Sequence, residues 1–184
     1  MILYHNTQTD RELQQILTLQ LQNTTSSLTS EEQQDQGFVT VVHSLPLLQK
    51  MAIPYGHTVA TDAGRLIGYA LVMLPALRDD IEVLRPMFAR LDQLVYEGQP
   101  VSGYPFFVMG QVCVAYDYRG KGVFAGLYQQ LRSTMRSRFD LIVTEVASRN
   151  RRSLRAHQKA GFLLLDTYGA DAGEEWNILV WNIR

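Results

Sequence analysis

Apolar and polar positions follow two periods along this chain, and the changes from one to the other mark its elements. Residues 1–7 read as a first strand. Leu13, Ile16, Leu17, Leu19 and Leu21 then recur at helical spacing, which predicts a helix starting after Asp10. Residues 22–37 are polar, carry little core signal and read as a loop with one helical turn from Ser30. A short helix is expected over 44–51. Strands follow at 57–61 and 65–74, joined by the hairpin signal Asp62-Ala63-Gly64 and stopped by Pro75. Ile81, Leu84, Phe88, Leu91 and Val95 recur at helical spacing after Asp79 and Asp80, and Gly98 closes that helix. A central strand is predicted over 105–115 and a helix over 123–138, with Val123, Leu127, Leu131 and Met135 as its apolar stripe. Then come a buried strand at 140–147, a helix at 150–160 and strands near 162–168 and 175–182. Strands first, then a strand-helix-strand crossover, then a closing hairpin imply an α+β domain on one mixed sheet of about seven strands.

Composition narrows the class. A chain of 184 residues, 46% hydrophobic and 19% charged, is one globular domain with enough length for a substantial core. Its net charge of −1 creates no overall field favouring nucleic acid or an anionic membrane, and neither partner is expected. No apolar run approaches spanning length, and the first residues lack a basic region followed by an apolar one. Cys113 is the single cysteine, so an intrachain disulfide is impossible; it reads as a buried thiol in a strand. A reducing compartment, the cytoplasm, is the expectation. Arginines cluster between residues 132 and 155, as on a solvated helix face that flanks an anion site.

The candidate chemistry lies in residues 112–122. An apolar strand ends there in a short turn bearing Arg119, Gly120, Lys121 and Gly122, and a helix follows at once. Glycines let the backbone approach closely, and a helix N-terminus aims N–H groups and a positive dipole at an anion. The turn is neither the Walker loop nor the dinucleotide fingerprint. A pyrophosphate fits it.

A second motif lies downstream, at Asn150, Ser153, His157, Lys159, Gly161 and Phe162. Together with Val114, Tyr118, Arg119, Gly120 and Gly122, it resembles the GNAT family, the acetyl-CoA-dependent N-acetyltransferases. The resemblance covers roughly residues 57–182. It leaves residues 1–56 as an N-terminal acceptor-side part and makes the helix near 79–98 an insertion. That helix is expected to cover the sheet edge, with a dimer contact or a pocket wall as the sharper reading.

The resemblance implies acetyl-CoA as cosubstrate and no metal. It implies pantetheine lying between two splayed strands and pairing with the backbone of Val112, Cys113 and Val114, one N–H serving the oxyanion. It places the pyrophosphate over Arg119, Gly120, Lys121, Gly122, Val123 and Phe124, with Asn150, Ser153 and His157 facing the coenzyme from one side of the next helix. Two residues depart from the family pattern. Phe124 stands where a small residue is usual, and His157 stands where a tyrosine is usual.

Acyl transfer to an amine needs a neutral amine, a polarised carbonyl and a stabilised thiolate. Glu145 is the candidate base. It precedes position 157 by twelve residues, as a proposed base does in ribosomal-protein N-terminal acetylases. His157 is the candidate acid, since imidazolium can protonate the thiolate and neutral imidazole can donate a hydrogen bond to sulfur. On the acceptor side, residues 22–43 are expected to form a lid, with Phe38, His43 and Tyr55 near the pocket. The first functional reading is an N-acetyltransferase of a small-molecule primary amine. Protein or peptide N-terminal acetylation and a non-catalytic acyl-CoA sensor are the alternatives. Either a monomer or a homodimer is compatible.

Overall fold

The computed structural model describes residues 1–24, 39, 41–169 and 173–184. The expected turn from Ser30, and Phe38, lie outside these residues. Strand β1 (Ile2–Asn6) leads to helix α1 (Asp10–Leu21), which a capping box opens: Thr9 accepts from the Glu12 N–H, and Glu12 accepts from Thr9. Helix α2 (Leu45–Ala52) has Ser44 as its N-cap and Pro46 in its first turn. Strands β2 (Thr58–Asp62) and β3 (Arg65–Met73) form the predicted hairpin, with Ala63 and Gly64 both at positive φ.

The region after β3 differs from its prediction. Short 3-10 turns at Pro75–Leu77 and Glu82–Leu84 precede a helix, α3, of only Arg85–Leu91. Pro86 cannot donate to an earlier turn, so the helix begins beside it. Val95 belongs instead to a small hairpin, β4 (Val95–Tyr96) and β5 (Gln99–Pro100), turned at Glu97 and Gly98, and is 56% exposed. Ile81, Leu84, Phe88 and Leu91 are buried as expected.

Strand β6 (Phe106–Val114), helix α4 (Val123–Met135), strand β7 (Leu141–Ala147), helix α5 (Arg151–Ala160) and strands β8 (Leu163–Gly169) and β9 (Glu175–Asn182) complete the chain. The seven-stranded sheet runs β1-β2-β3-β6-β7-β9-β8, and β6–β7 is its one parallel pairing. Helices α1 and α2 pack on one face of β3, and α4 packs on the other. Gly68 makes the second contact close: a Cβ there would lie 3.2 Å from the Cys113 carbonyl oxygen and from Val123. The core fills both layers, with Tyr69, Phe107, Leu71 and Met73 among its fully buried side chains. Among the described residues no helix is long and apolar enough to cross a membrane.

Candidate active site

Strands β6 and β7 separate after a short pairing. Their register covers Phe106↔Leu141, Phe107↔Ile142 and Val108↔Val143 only. The Thr144 hydroxyl then donates to the Met109 carbonyl at 2.9 Å, and beyond it β6 pairs with β3 alone. A register shift opposite Leu71 and Val72 makes Gly110 an extra residue in β6, a bulge that bends the strand where the gap opens. The gap is a cleft of about 80 Å³ through the sheet. Paired residues share a face, so Glu145 lies on the face of Ile178 and Asp166, toward α1 and α3. Asn150, Ser153 and His157 line the cleft from α5, which packs beside α4 on the other face. A donor and an acceptor can therefore enter from opposite sides.

The turn before α4 has the geometry an anion requires. Gly120 and Gly122 sit at φ +75° and +81°, and a Cβ at either would meet nothing within 4 Å. Gly122 is the N-cap of α4 and makes no side-chain cap bond, while the first intrahelical acceptance is from the Gly126 N–H. The N–H groups of Val123, Phe124 and Ala125 thus have no acceptor within the helix. An open glycine cradle, free first-turn donors and an unpaired strand edge at Val112–Val114 fit a diphosphate with an extended amide-bearing arm. Arg119 does not project from the loop. Its guanidinium donates to the Val114 carbonyl at 3.1 Å and to Asn23 Oδ1 at 2.5 Å, tying the loop to the end of α1. Lys121 lies over the Tyr118 ring, 5.4 Å from its centroid. Phe124 packs on Tyr128 and edge-on against His157.

Glu145 lines the cleft, and burial pushes its carboxyl up to about 7. Tyr168, on β8, donates its hydroxyl proton to Oε2 at 2.6 Å, a contact that favours the ionised form against that burial. Asn150 caps α5, accepting from the Ser153 N–H at 3.2 Å.

His157 departs from its expected role. Its Nδ1 lies 2.8 Å from the Ser153 carbonyl, which can only accept, so Nδ1 carries the proton. Nε2 then accepts from the Tyr128 hydroxyl at 2.8 Å. Burial lowers the ring to about 4. At neutral pH it is an uncharged imidazole with both nitrogens engaged inside the protein. That geometry supplies neither the imidazolium nor the free N–H that the sequence reading assigned to the thiolate.

The face of the sheet toward α1 holds a polar cluster that the sequence reading missed. Gln20 is fully buried on α1; its amide nitrogen contacts His43 Nδ1 and Gln111 Oε1, both at 2.8 Å, and its oxygen accepts from the His43 N–H. Tyr69 donates to Gln111 Oε1 at 2.6 Å, and Gln111 donates to the Val41 carbonyl. His43, an expected pocket residue, is buried in this network; burial lowers it to about 4. Tyr55, the other, packs edge-on against Phe139, away from the cleft. Leu84, between β3 and β4, and Val39 and Val41 do line the cleft. Among the described residues no group of acidic, histidine or cysteine side chains could hold a metal ion.

Residues 19–162 match the model of the acetyltransferase (GNAT) family. The chain belongs to the GNAT family. Solved structures agree on the fold. The ribosomal-protein-S18-alanine N-acetyltransferase from Escherichia coli superposes at a TM-score of 0.65 with 14% identity, over 100% of this chain and 94% of that one. Ard1 from Thermoplasma volcanium gives 0.67 with 14% identity, over 100% and 98%. The NatC complex bound to Gag peptide and CoA gives 0.66 with 13% identity, over 98% of each chain. No curated protein sequence matches. The split between β6 and β7 in this GNAT chain is where the family resemblance implied pantetheine would lie. The three-strand reach from Tyr168 to Glu145 has no local sequence signal, because the two residues meet only once β9 has paired on both sides.

Proposed function

We propose that this GNAT chain transfers an acetyl group from acetyl-CoA to the primary amine of a small molecule, with Glu145 as general base. The carrying observation is a carboxylate in the cleft whose burial sets it near neutrality, where a base both accepts and releases a proton. Acetyl-CoA supplies the acetyl group activated as a thioester. Val112, Cys113 and Val114 would align its pantetheine arm, and the turn at Gly120 and Gly122 with the N–H groups of Val123 and Phe124 would hold the pyrophosphate. A backbone N–H of β6 would donate to the thioester oxygen as negative charge develops there. Glu145 takes the proton from the attacking nitrogen as the new C–N bond forms and the C–S bond breaks. His157, neutral and internally bonded, orders α4 against α5, so the proton that reaches the thiolate comes from the amine side or from water.

Among the described residues Glu145 is the one carboxylate lining the cleft, and Val39, Val41, Leu84 and Trp176 are apolar around it. This suits one amine on an apolar body better than a polycation. The twelve residues between Glu145 and His157 support a second reading, a peptide N-terminus as acceptor. Coenzyme A release from acetyl-CoA, measured against a panel of small primary amines and short peptides, separates the two. Stabilisation by acetyl-CoA without release for any acceptor would leave only the sensor reading. Glu145→Gln acetylating at the wild-type rate would remove the base.

A further inference from the structure

We propose that Tyr168 is a positioning residue for acetyl transfer: from edge strand β8 it holds the Glu145 carboxylate in the cleft, and the Arg90–Asp166 pair fixes the strand that carries it. This rests on the reading of Glu145 as the base.

The register of β8 makes the reach possible. Leu164 pairs with Leu179 and Asp166 with Ile178, so Leu165 is an extra residue on β8. Without that bulge Leu165 would oppose Ile178, and every later residue would turn to the other face. With it, Asp166 and Tyr168 share the face of Glu145, Ile178 and Trp176. Two contacts use the arrangement. Asp166 receives a two-point grip from Arg90 of α3, with Nε–Oδ2 at 2.5 Å and Nη2–Oδ1 at 3.1 Å. Tyr168 reaches over β9 to Glu145 Oε2 at 2.6 Å. Among the described residues this is the one hydrogen bond to the Glu145 side chain, so Oε1 is left for the amine. The insertion between β3 and β6 thereby gains a role: its helix clamps the strand that aims the base.

The donation has one direction. Burial, then the hydrogen bond to Glu145, raise the Tyr168 phenol, so it keeps its proton while Glu145 titrates. The other ionisable groups nearby are settled. Asp166 is paired with Arg90; His157 is neutral; Glu174 and Glu175 at the start of β9 are engaged by Arg149 and Ser148. Strand β9 presents Trp176, Ile178, Val180 and Asn182 on this face, none of them ionisable.

Carbon-13 NMR of protein labelled at its glutamate carboxyls reads Glu145 directly and needs no acceptor; Glu145→Gln assigns the signal. The wild-type midpoint is expected near 7. Tyr168→Phe keeps the ring, loses the donor and should raise the midpoint by about one unit. Arg90→Gln should raise it too, by less, because β8 is no longer clamped. With the best amine of the panel, Tyr168→Phe should move the acid limb of kcat/KM up by the same amount and leave the KM for acetyl-CoA unchanged. A midpoint and limb that stay in place in Tyr168→Phe overturn the proposal while the base reading stands. A wild-type rate in Glu145→Gln removes the base reading, and the positioning role with it, even if the NMR midpoint moves. An unchanged midpoint in Arg90→Gln removes the clamp from the proposal.

Discussion

Acidification should destabilise this protein well before ordinary carboxylates titrate, and neutralising Glu145 should make the loss steeper. His43, His57 and His157 are buried, and burial lowers each from 6.5 to about 4. Between those values the unfolded chain binds protons that the folded one refuses, so stability rises with pH across this window. Their stabilisation is complete above 6.5 and is lost as pH falls toward 4. From about pH 7 to about pH 5 each histidine costs on the order of 2 kcal/mol, and the three together roughly 5 kcal/mol. Glu145 works in the opposite sense. Its carboxyl is raised from 4.5 to about 7, so the folded state holds a proton that the unfolded state has released. That contribution is full below 4.5 and lost as pH rises through 7; acidification over the same interval therefore returns about 2 kcal/mol. The net loss is about 3 kcal/mol, a large part of the 5–15 kcal/mol typical of a domain. Glu145→Gln cannot return the offset, so its loss should approach about 5 kcal/mol. Urea unfolding followed by circular dichroism, at several pH values for both proteins, measures the difference. Equal stability at both ends of the interval in Glu145→Gln would refute the reasoning, because the histidines would then titrate as they do in the unfolded chain.

Three further outcomes follow from single contacts. Acetyl-CoA at ~100 times its Kd should stabilise the wild type by about 2.7 kcal/mol, and Gly122→Val should lose that stabilisation in a thermal-shift titration. His157→Ala leaves the buried Tyr128 hydroxyl without its partner and should cost roughly 1–3 kcal/mol in urea unfolding, while single-turnover acetylation by the folded fraction stays near wild type. Gly161→Ala forces a side chain into φ +110° with its Cβ 2.8 Å from Trp181 Nε1, and should lower stability by about 1–2 kcal/mol at least, as read from the same unfolding curves.

Local rules carried most of the fold. Strand β9 spans the expected 175–182, and the Asp62-Ala63-Gly64 signal became a two-residue hairpin. The glycine turn and the Asn150 cap were legible because backbone geometry restricts which residues serve there. Errors arose where periodicity was read without its punctuation. Ile81 to Val95 looked like one helix, but Pro86 and Glu97-Gly98 divide that stretch into turns, a two-turn helix and a hairpin. On α1 the stripe was taken through Leu21, which is 55% exposed, whereas Gln20 is fully buried. A polar residue turns inward only when distant partners satisfy it, and Gln111 and His43 lie 91 and 23 positions away. The same reason hid Tyr168 and reversed the reading of His157, whose charge is decided by burial and whose Nε2 is taken by Tyr128.

The short pairing of β6 with β7 also bears on how the molecule responds to force. Strands β1, β2, β3 and β6 form one ladder, and β7, β9 and β8 form another. Within the sheet, three residue pairs and the Thr144–Met109 bond join them along a line through its middle, while the Tyr128–His157 and Arg90–Asp166 contacts bridge the two halves outside it. A load applied across that line would open it like a zipper, rung by rung, with few rungs to break. An extended ligand wedged in the gap, bonded to backbone on both banks, would add rungs to the weakest seam. Its strengthening effect under tension would then exceed what its binding free energy alone suggests.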